Sequence, residues 1–305
     1  MKQISFMAAC MFSFASLSVL AQSHPQAVNY HQTAKTRFVD AVGTRYAYRI
    51  LGNKTGIPLV LMHGSFFTMD NWDPTITNGL AKYYKVILFD NKGVGATDGK
   101  TPDNIAGMAA DAVSFIEALG YNKVNLMGFS MGGMITQQIL LTKPQLVNKV
   151  ILSSTGSKGS DGLSELPKRI AEVSSLSPDD QLVHLFFASS ATSEQSGKLW
   201  IARYNKRSIN RDPEVTKESD GAQLTAVLGW AQPDADALDQ LKTINQPVLI
   251  VDGRYDKLVP VTNSFNLFQS LPNARLYLYP NAGHGAIFQY PDDFVHKALE
   301  FLKEQ

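Results

Sequence analysis

Lys123-Val124-Asn125-Leu126-Met127-Gly128-Phe129-Ser130-Met131-Gly132-Gly133-Met134 passes from a short apolar run into a helical pattern through a glycine-rich turn. A serine in a sharp strand-to-helix turn is crowded on both sides, so small residues are needed two positions before it and two after. Gly128 and Gly132 meet that demand. Such a turn lifts the hydroxyl above the sheet's edge, and the helix N-terminus beneath it supplies positive potential for a developing anion. A bare G-x-S-x-G also fits an ordinary glycine-rich turn. The strand expected over Lys123–Met127 and the helix expected over Met134–Leu141 single out Ser130 as a nucleophile.

Outward from this turn, short apolar runs with β-branched residues recur at Pro58–Met62, Lys85–Phe89, Lys149–Leu152, Pro247–Val251 and Arg275–Leu278. Before them, Thr36–Val42 and Arg45–Leu51 flank Gly43 and read as an antiparallel pair. Helical stripes lie between the runs. Met108, Ala112, Phe115, Ile116 and Leu119 share one face ahead of Gly120, and Phe294, Val295, Ala298, Phe301 and Leu302 share another after Pro291. Strands alternating with helices imply a mostly parallel sheet flanked by helices, an α/β fold. The alternation breaks once, between Leu152 and Pro247, where helical patterns occur without a convincing strand. That stretch is too long for a connection and reads as an inserted helical cap. The expected organisation is residues 22–155 as the first part of the core, 156–243 as the cap and 244–305 as the second part of the core.

A serine hydroxyl is weakly nucleophilic at neutral pH and needs a base, for which histidine suits best. His24 and His31 lie in a polar leader, His184 in the cap and His296 in the last helix, leaving His63 and His284. His284, in the loop Asn281-Ala282-Gly283-His284-Gly285, is the expected base. Its imidazole needs a carboxylate to fix one tautomer. Asp252 and Asp256 both follow the strand Pro247–Val251. Asp256, in the loop beyond Gly253, is the better placed to reach a neighbouring loop, with Asp252 as the alternative.

The order Ser130, Asp256, His284 resembles the chain order of α/β-hydrolases, and the resemblance extends from about Thr36 to the C-terminus. His63-Gly64 is similar to the family's histidine-glycine oxyanion turn. Asp90-Asn91-Lys92-Gly93-Val94-Gly95-Ala96-Thr97 resembles its loop after the following strand, with Lys92 where arginine is usual and Thr97 where serine is usual. The resemblance implies an oxyanion hole from the backbone N–H groups of Ser65 and Met131, with Phe66 as a substitute for Ser65, and a bracing role for His63. Relatives that displace at carbon through an alkyl ester use aspartate where Ser130 stands, so Ser130 points to acyl transfer. Phe66, Phe67, Trp72, Phe129, Trp230 and Phe288 are expected around an apolar substrate pocket, although aromatics of this kind also fill cores. A carboxylic ester hydrolase is the first expectation. Carbon–carbon bond hydrolysis, lactone hydrolysis and peracid formation use the same triad, and a slow or inert ligand-binding protein is the reading from another class.

Composition narrows the partners to a small-molecule substrate. The 305 residues carry 28 basic and 27 acidic side chains, a formal charge of +1 without like-charge runs, so the footprint for gripping nucleic acid is missing. Gly93-Val94-Gly95 lacks the third glycine and the downstream acid of a dinucleotide site, and no metal-ligand spacing occurs, so no cofactor and no metal are expected. Asp179-Asp180 and Asp292-Asp293 sit beside proline at expected helix starts and read as dipole-complementing caps. Asn53-Lys54-Thr55 is a glycosylation sequon. Met1–Ala21 has the charged, apolar, small-residue order of a secretory signal peptide, which implies export to the periplasm or medium and no stable membrane association after cleavage. A retained anchor, or a lipoprotein through Cys10, are the alternatives. Cleavage after Ala21 would remove Cys10, the one cysteine, and with it any disulfide or thiolate chemistry.

Overall fold

A computed structural model describes residues 28–304, so the signal-peptide expectation falls outside the described residues. Eight strands form one sheet: β1 Arg37–Ala41, β2 Thr44–Leu51, β3 Leu59–Met62, β4 Val86–Phe89, β5 Val124–Phe129, β6 Val147–Ser153, β7 Val248–Gly253 and β8 Ala274–Tyr279. Their spatial order is β1-β2-β4-β3-β5-β6-β7-β8. β2 is antiparallel to both of its neighbours, and every pairing from β4 to β8 is parallel. β1 and β2 join through Val42 and Gly43, both at positive φ (46° and 74°), the backbone that a tight two-residue hairpin requires.

Parallel strands are covered on both faces, which is why β3, β4, β5 and β7 are buried along their whole length and read as continuous apolar runs. Helices cover the two faces of the sheet and make up the insertion between β6 and β7. In chain order they are α1 Tyr30–Thr33, α2 Pro74–Ala81, α3 Ile105–Ala118, α4 Met131–Thr142, α5 Leu166–Glu172, α6 Pro178–Phe186, α7 Ala191–Tyr204, α8 Lys217–Trp230, α9 Ala237–Leu241, α10 Thr262–Ser270, α11 Ala286–Gln289 and α12 Pro291–Lys303. α3 starts where the Asn104 side chain accepts the Gly107 N–H at 2.8 Å and ends at Gly120, with φ +82°. It packs Met108, Ala112, Phe115 and Ile116 inward, each fully buried apolar side chain contributing about 1.5–3 kcal/mol. α12 begins with Pro291 at its first turn beside Asp292 and Asp293, and Lys149 from β6 caps its last carbonyls at Phe301 and Leu302. α3 packs on α4, and α12 on α2.

Between β6 and β7 the chain runs through α5 to α9 without adding a strand. This insertion is fastened to the sheet by buried charges. Arg49 of β2 pairs with Asp70 at 2.5 Å and with Asp212 of the insertion at 2.8 Å, while Arg207 lies 3.2 Å from Asp70 and donates to the carbonyls of His31 and Ala34. The side chains of Arg49, Asp70, Arg207 and Asp212 are at most 2% exposed. Asp179 and Asp180 lie in the first turn of α6, where Ser177 accepts the Asp180 N–H, as expected of dipole-complementing acids.

Candidate active site

β5 ends at Phe129 and α4 begins at Met131, leaving Ser130 alone in the turn with φ 54° and ψ −120°. A non-glycine residue in that region costs of order 1–3 kcal/mol, so its surroundings must hold it there. Ser130 N–H donates to the Ser153 carbonyl at 2.9 Å, and the Ser130 carbonyl accepts from Gly133 N–H and Thr155 Oγ1, both at 2.9 Å. The flanking glycines are dictated by space. A Cβ on Gly128 would sit 2.4 Å from the Gly132 carbonyl oxygen, and one on Gly132 would sit 2.1 Å from that of Met62.

His284 follows β8 on the loop that leads into α11. Its Nδ1 lies 2.7 Å from Asp256 Oδ2, with both side chains at most 1% exposed. The other Asp256 oxygen accepts the backbone N–H groups of Leu258 and Val259 at 2.8 and 2.9 Å, which fixes the direction of the carboxylate. Nδ1–H donation to a carboxylate leaves Nε2 with the lone pair that a general base uses. The His284 ring stands 5.0 Å, centroid to centroid, from Phe129, the residue before Ser130. Asp252 does not reach the histidine. Its oxygens accept from Gly253 N–H at 2.7 Å and Ser264 Oγ at 2.6 Å, and burial together with the neighbouring Asp256 charge holds its carboxyl well above the ordinary range.

The loop after β3 approaches from the opposite side. Gly64 is so close that a Cβ there would lie 3.2 Å from Ser130 Cβ. Ser65 Oγ donates to Met131 Sδ at 3.4 Å, bringing the two residues together. Among the described residues, neither the Ser65 nor the Met131 N–H donates to a protein acceptor. Phe66, the alternative donor, sits at φ 70° and its N–H is taken by Gln223 Oε1 at 2.7 Å. His63 accepts the Gly64 N–H at 2.8 Å and packs its ring 4.9 Å from Phe67 and 4.6 Å from Trp72. Complete burial pushes its pKa down to about 3, which keeps the ring neutral.

A family model described as alpha/beta hydrolase fold matches residues 57–291. The chain belongs to the α/β-hydrolase family. A solved α/β-hydrolase fold protein from Chitinophaga pinensis is 40% identical, with a TM-score of 0.88 over 91% of this chain and 100% of that one. A 2-hydroxy-6-oxo-6-phenylhexa-2,4-dienoate hydrolase from Burkholderia cepacia is 30% identical over 81% of this chain and 88% of its own length. The enol-lactonase from Burkholderia xenovorans LB400 shares the fold at a TM-score of 0.71, with 19% identity over 88% of this chain and 100% of that one.

In this α/β-hydrolase the expected pocket aromatics fare differently from one another. Trp72, Phe129 and Phe288 have no accessible surface, so they border no space that would admit even water. They are corrected from pocket lining to support. Trp72 packs 6.3 Å from Phe288, and Phe129 4.9 Å from Phe288. The insertion between β6 and β7 covers Phe129 and Phe288, while Trp72 is enclosed by His63 and Phe288. Trp200 of α7 stacks on Phe288 at 4.6 Å and on Phe186 at 5.8 Å, and Phe186 stands 5.0 Å from His284. Phe67 and Trp230 keep 7% and 6% of their surface, Trp230 donating Nε1–H to the Gly156 carbonyl at 3.1 Å. Phe66, at 37%, is the aromatic left open. Sequence reasoning missed Phe186 and Trp200, whose helical spacing gave the only signal, and Thr155 and Gln223, which carry no motif.

Proposed function

We propose that this hydrolase cleaves small, largely apolar carboxylic esters through an acyl-enzyme on Ser130. The observation that carries the reading is the 2.7 Å contact between Asp256 and His284 Nδ1, with the His284 ring 5.0 Å from Phe129 and the next residue, Ser130, held at positive φ between two obligate glycines. Ser130 Oγ forms a bond to the substrate carbonyl carbon as its proton passes to His284 Nε2. The carbonyl oxygen becomes an oxyanion facing the N–H groups of Ser65 and Met131, each such donor worth about 2.7–4 kcal/mol in the transition state. Collapse breaks the bond to the alkoxide, which leaves with the proton from His284. Water then repeats the sequence on the acyl-enzyme, giving the acid and restoring Ser130. Phe66, Phe67 and Phe186, which keep accessible surface in the loop after β3 and beside His284, favour a short acyl group without charge.

Purified protein assayed on short-chain and aryl esters, lactones and vinylogous diketones tests the proposal. Fastest turnover on short-chain esters supports it, and turnover confined to another class overturns it. The second reading, hydrolysis of a carbon–carbon bond next to a carbonyl, draws on the 30% identity to the dienoate hydrolase, and the diketones decide it. A ligand-binding protein would bind without turnover and independently of Ser130. We also infer export, on the order of residues in Met1–Ala21. Cell fractionation with N-terminal sequencing tests that inference.

A further inference from the structure

Gln223 is a cap residue 1% exposed, and its amide oxygen takes the Phe66 N–H at 2.7 Å. A buried amide oxygen is costly unless it is hydrogen-bonded, and Phe66 N–H supplies that bond. Its partner is the residue next to Ser65. Phe66 lies at φ 70°, a region L residues rarely occupy, so the hydrogen bond holds the loop in a conformation that it would not keep by itself.

The helix that carries Gln223 is seated at both ends. α8 turns Ser219, Gln223, Ala226, Val227 and Trp230 inward at helical spacing. Near its start, Ser219 Oγ donates to the Gly93 carbonyl at 2.6 Å and accepts from Thr101 at 3.0 Å. At its end, Trp230 donates to the Gly156 carbonyl at 3.1 Å. Gln223, between these anchors, is delivered to the loop after β3 as a fixed acceptor.

We infer that Gln223 is a positioning residue of the oxyanion hole: by binding Phe66 N–H it aims the Ser65 N–H toward the same point as that of Met131. The inference rests on the acyl-transfer reading above. It makes the hole complete only when the cap is seated, because the acceptor comes from the cap and the donors from the core.

The test compares Gln223→Met, which keeps volume and removes the acceptor, with Gln223→Glu, which keeps an oxygen at the same reach. A chromogenic acetate ester gives kcat and KM. Phenylboronic acid, which adds to the serine as a tetrahedral anion, reports the hole directly. For Gln223→Met, kcat falls by about 10- to 100-fold with KM within about 3-fold, since a small misplacement of a catalytic donor costs that much. Boronate affinity falls in step with kcat/KM, and Gln223→Glu stays within about 5-fold of the wild-type kcat on the same argument. Wild-type kcat in Gln223→Met overturns the inference, as does a loss that boronate affinity does not share. If Gln223→Met does not fold, a folded Gln223→Glu with a larger loss overturns it as well. The acyl-transfer reading fails in a different way, by a wild-type protein that neither turns over esters nor reacts with a fluorophosphonate.

Discussion

Asp256 Oδ2 lies 2.7 Å from His284 Nδ1, whereas Asp252, four positions earlier on the same strand and loop, is turned to Ser264. The two carboxyls are chemically alike and both buried, so direction alone separates their roles. Asp256→Asn is expected to lower kcat on a chromogenic ester by about 10⁴-fold, because the amide favours the wrong imidazole tautomer. Asp252→Asn should keep most of the rate, since that carboxyl is already held toward its neutral form and an amide is its near isostere. The reverse pattern would transfer the acid's role to Asp252.

Ser130 trades stability for reactivity. At φ 54° the Cβ of any L residue is strained, and glycine is not. Ser130→Gly and Ser130→Ala should both be inactive, with Ser130→Gly the more stable in urea denaturation by about 1 kcal/mol. Equal stability would mean that the turn is unstrained.

The glycines of the molecule divide by space. Gly132→Ala places a Cβ 2.1 Å from the Met62 carbonyl oxygen and is expected to cost about 1–3 kcal/mol or more and to cripple turnover. Gly221 of α8 has no heavy atom within 4 Å of the same position apart from its chain neighbours and its own helix backbone. There an alanine should stabilise by about 0.5–1 kcal/mol and leave activity unchanged. Thermal melts of the two variants check the contrast.

Acid should weaken the fold through its buried histidines. Burial lowers the pKa of His31 to about 4 and that of His63 to about 3, while in the unfolded chain both titrate near 6.5. The unfolded state therefore takes up protons first. The stability due to neutral burial is fully present above about pH 6.5 and declines as pH falls toward 4, by up to roughly 1.4 kcal/mol per unit for each histidine. Urea midpoints at pH 7 and 5 should show that decline in the wild type and a shallower one in His63→Asn. An identical slope in the variant would contradict the assignment.

The charge cluster under the cap should behave as a clasp. Arg49→Met leaves Asp70 and Asp212 buried without their shared guanidinium and is expected to cost about 3–5 kcal/mol. Limited proteolysis should then cut first between residues 205 and 216, where the cap loses its anchor. Unchanged stability would show that Arg207 alone neutralises the pair.

β3 to β7 were legible because parallel strands buried on both faces demand unbroken apolar runs, and each of the eight strands lies within two residues of the run that foretold it. β5 reaches Phe129, two residues further than its run, because Phe129 pairs with Ser153. The serine turn was legible for a steric reason, the small residues on either side of Ser130. The place of Asp256 in the loop beyond Gly253 favours it over Asp252 in the sequence, but the Leu258 and Val259 N–H groups that turn its carboxylate leave no mark there. The burial of these aromatics was hidden because Phe129 meets Phe186, and Phe288 meets Trp200, across the insertion, while Trp72 packs on His63 and Phe288. Arg49 and Asp212 are 163 positions apart, and no local pattern marks them as a pair.

The most direct test treats the protein with a fluorophosphonate while following ester turnover, with the adduct located by mass spectrometry. One adduct on Ser130, formed in proportion to the activity lost and absent from Ser130→Ala, is the predicted result. Full ester turnover in a protein that stays unmodified, or equal labelling of Ser130→Ala, would contradict the account.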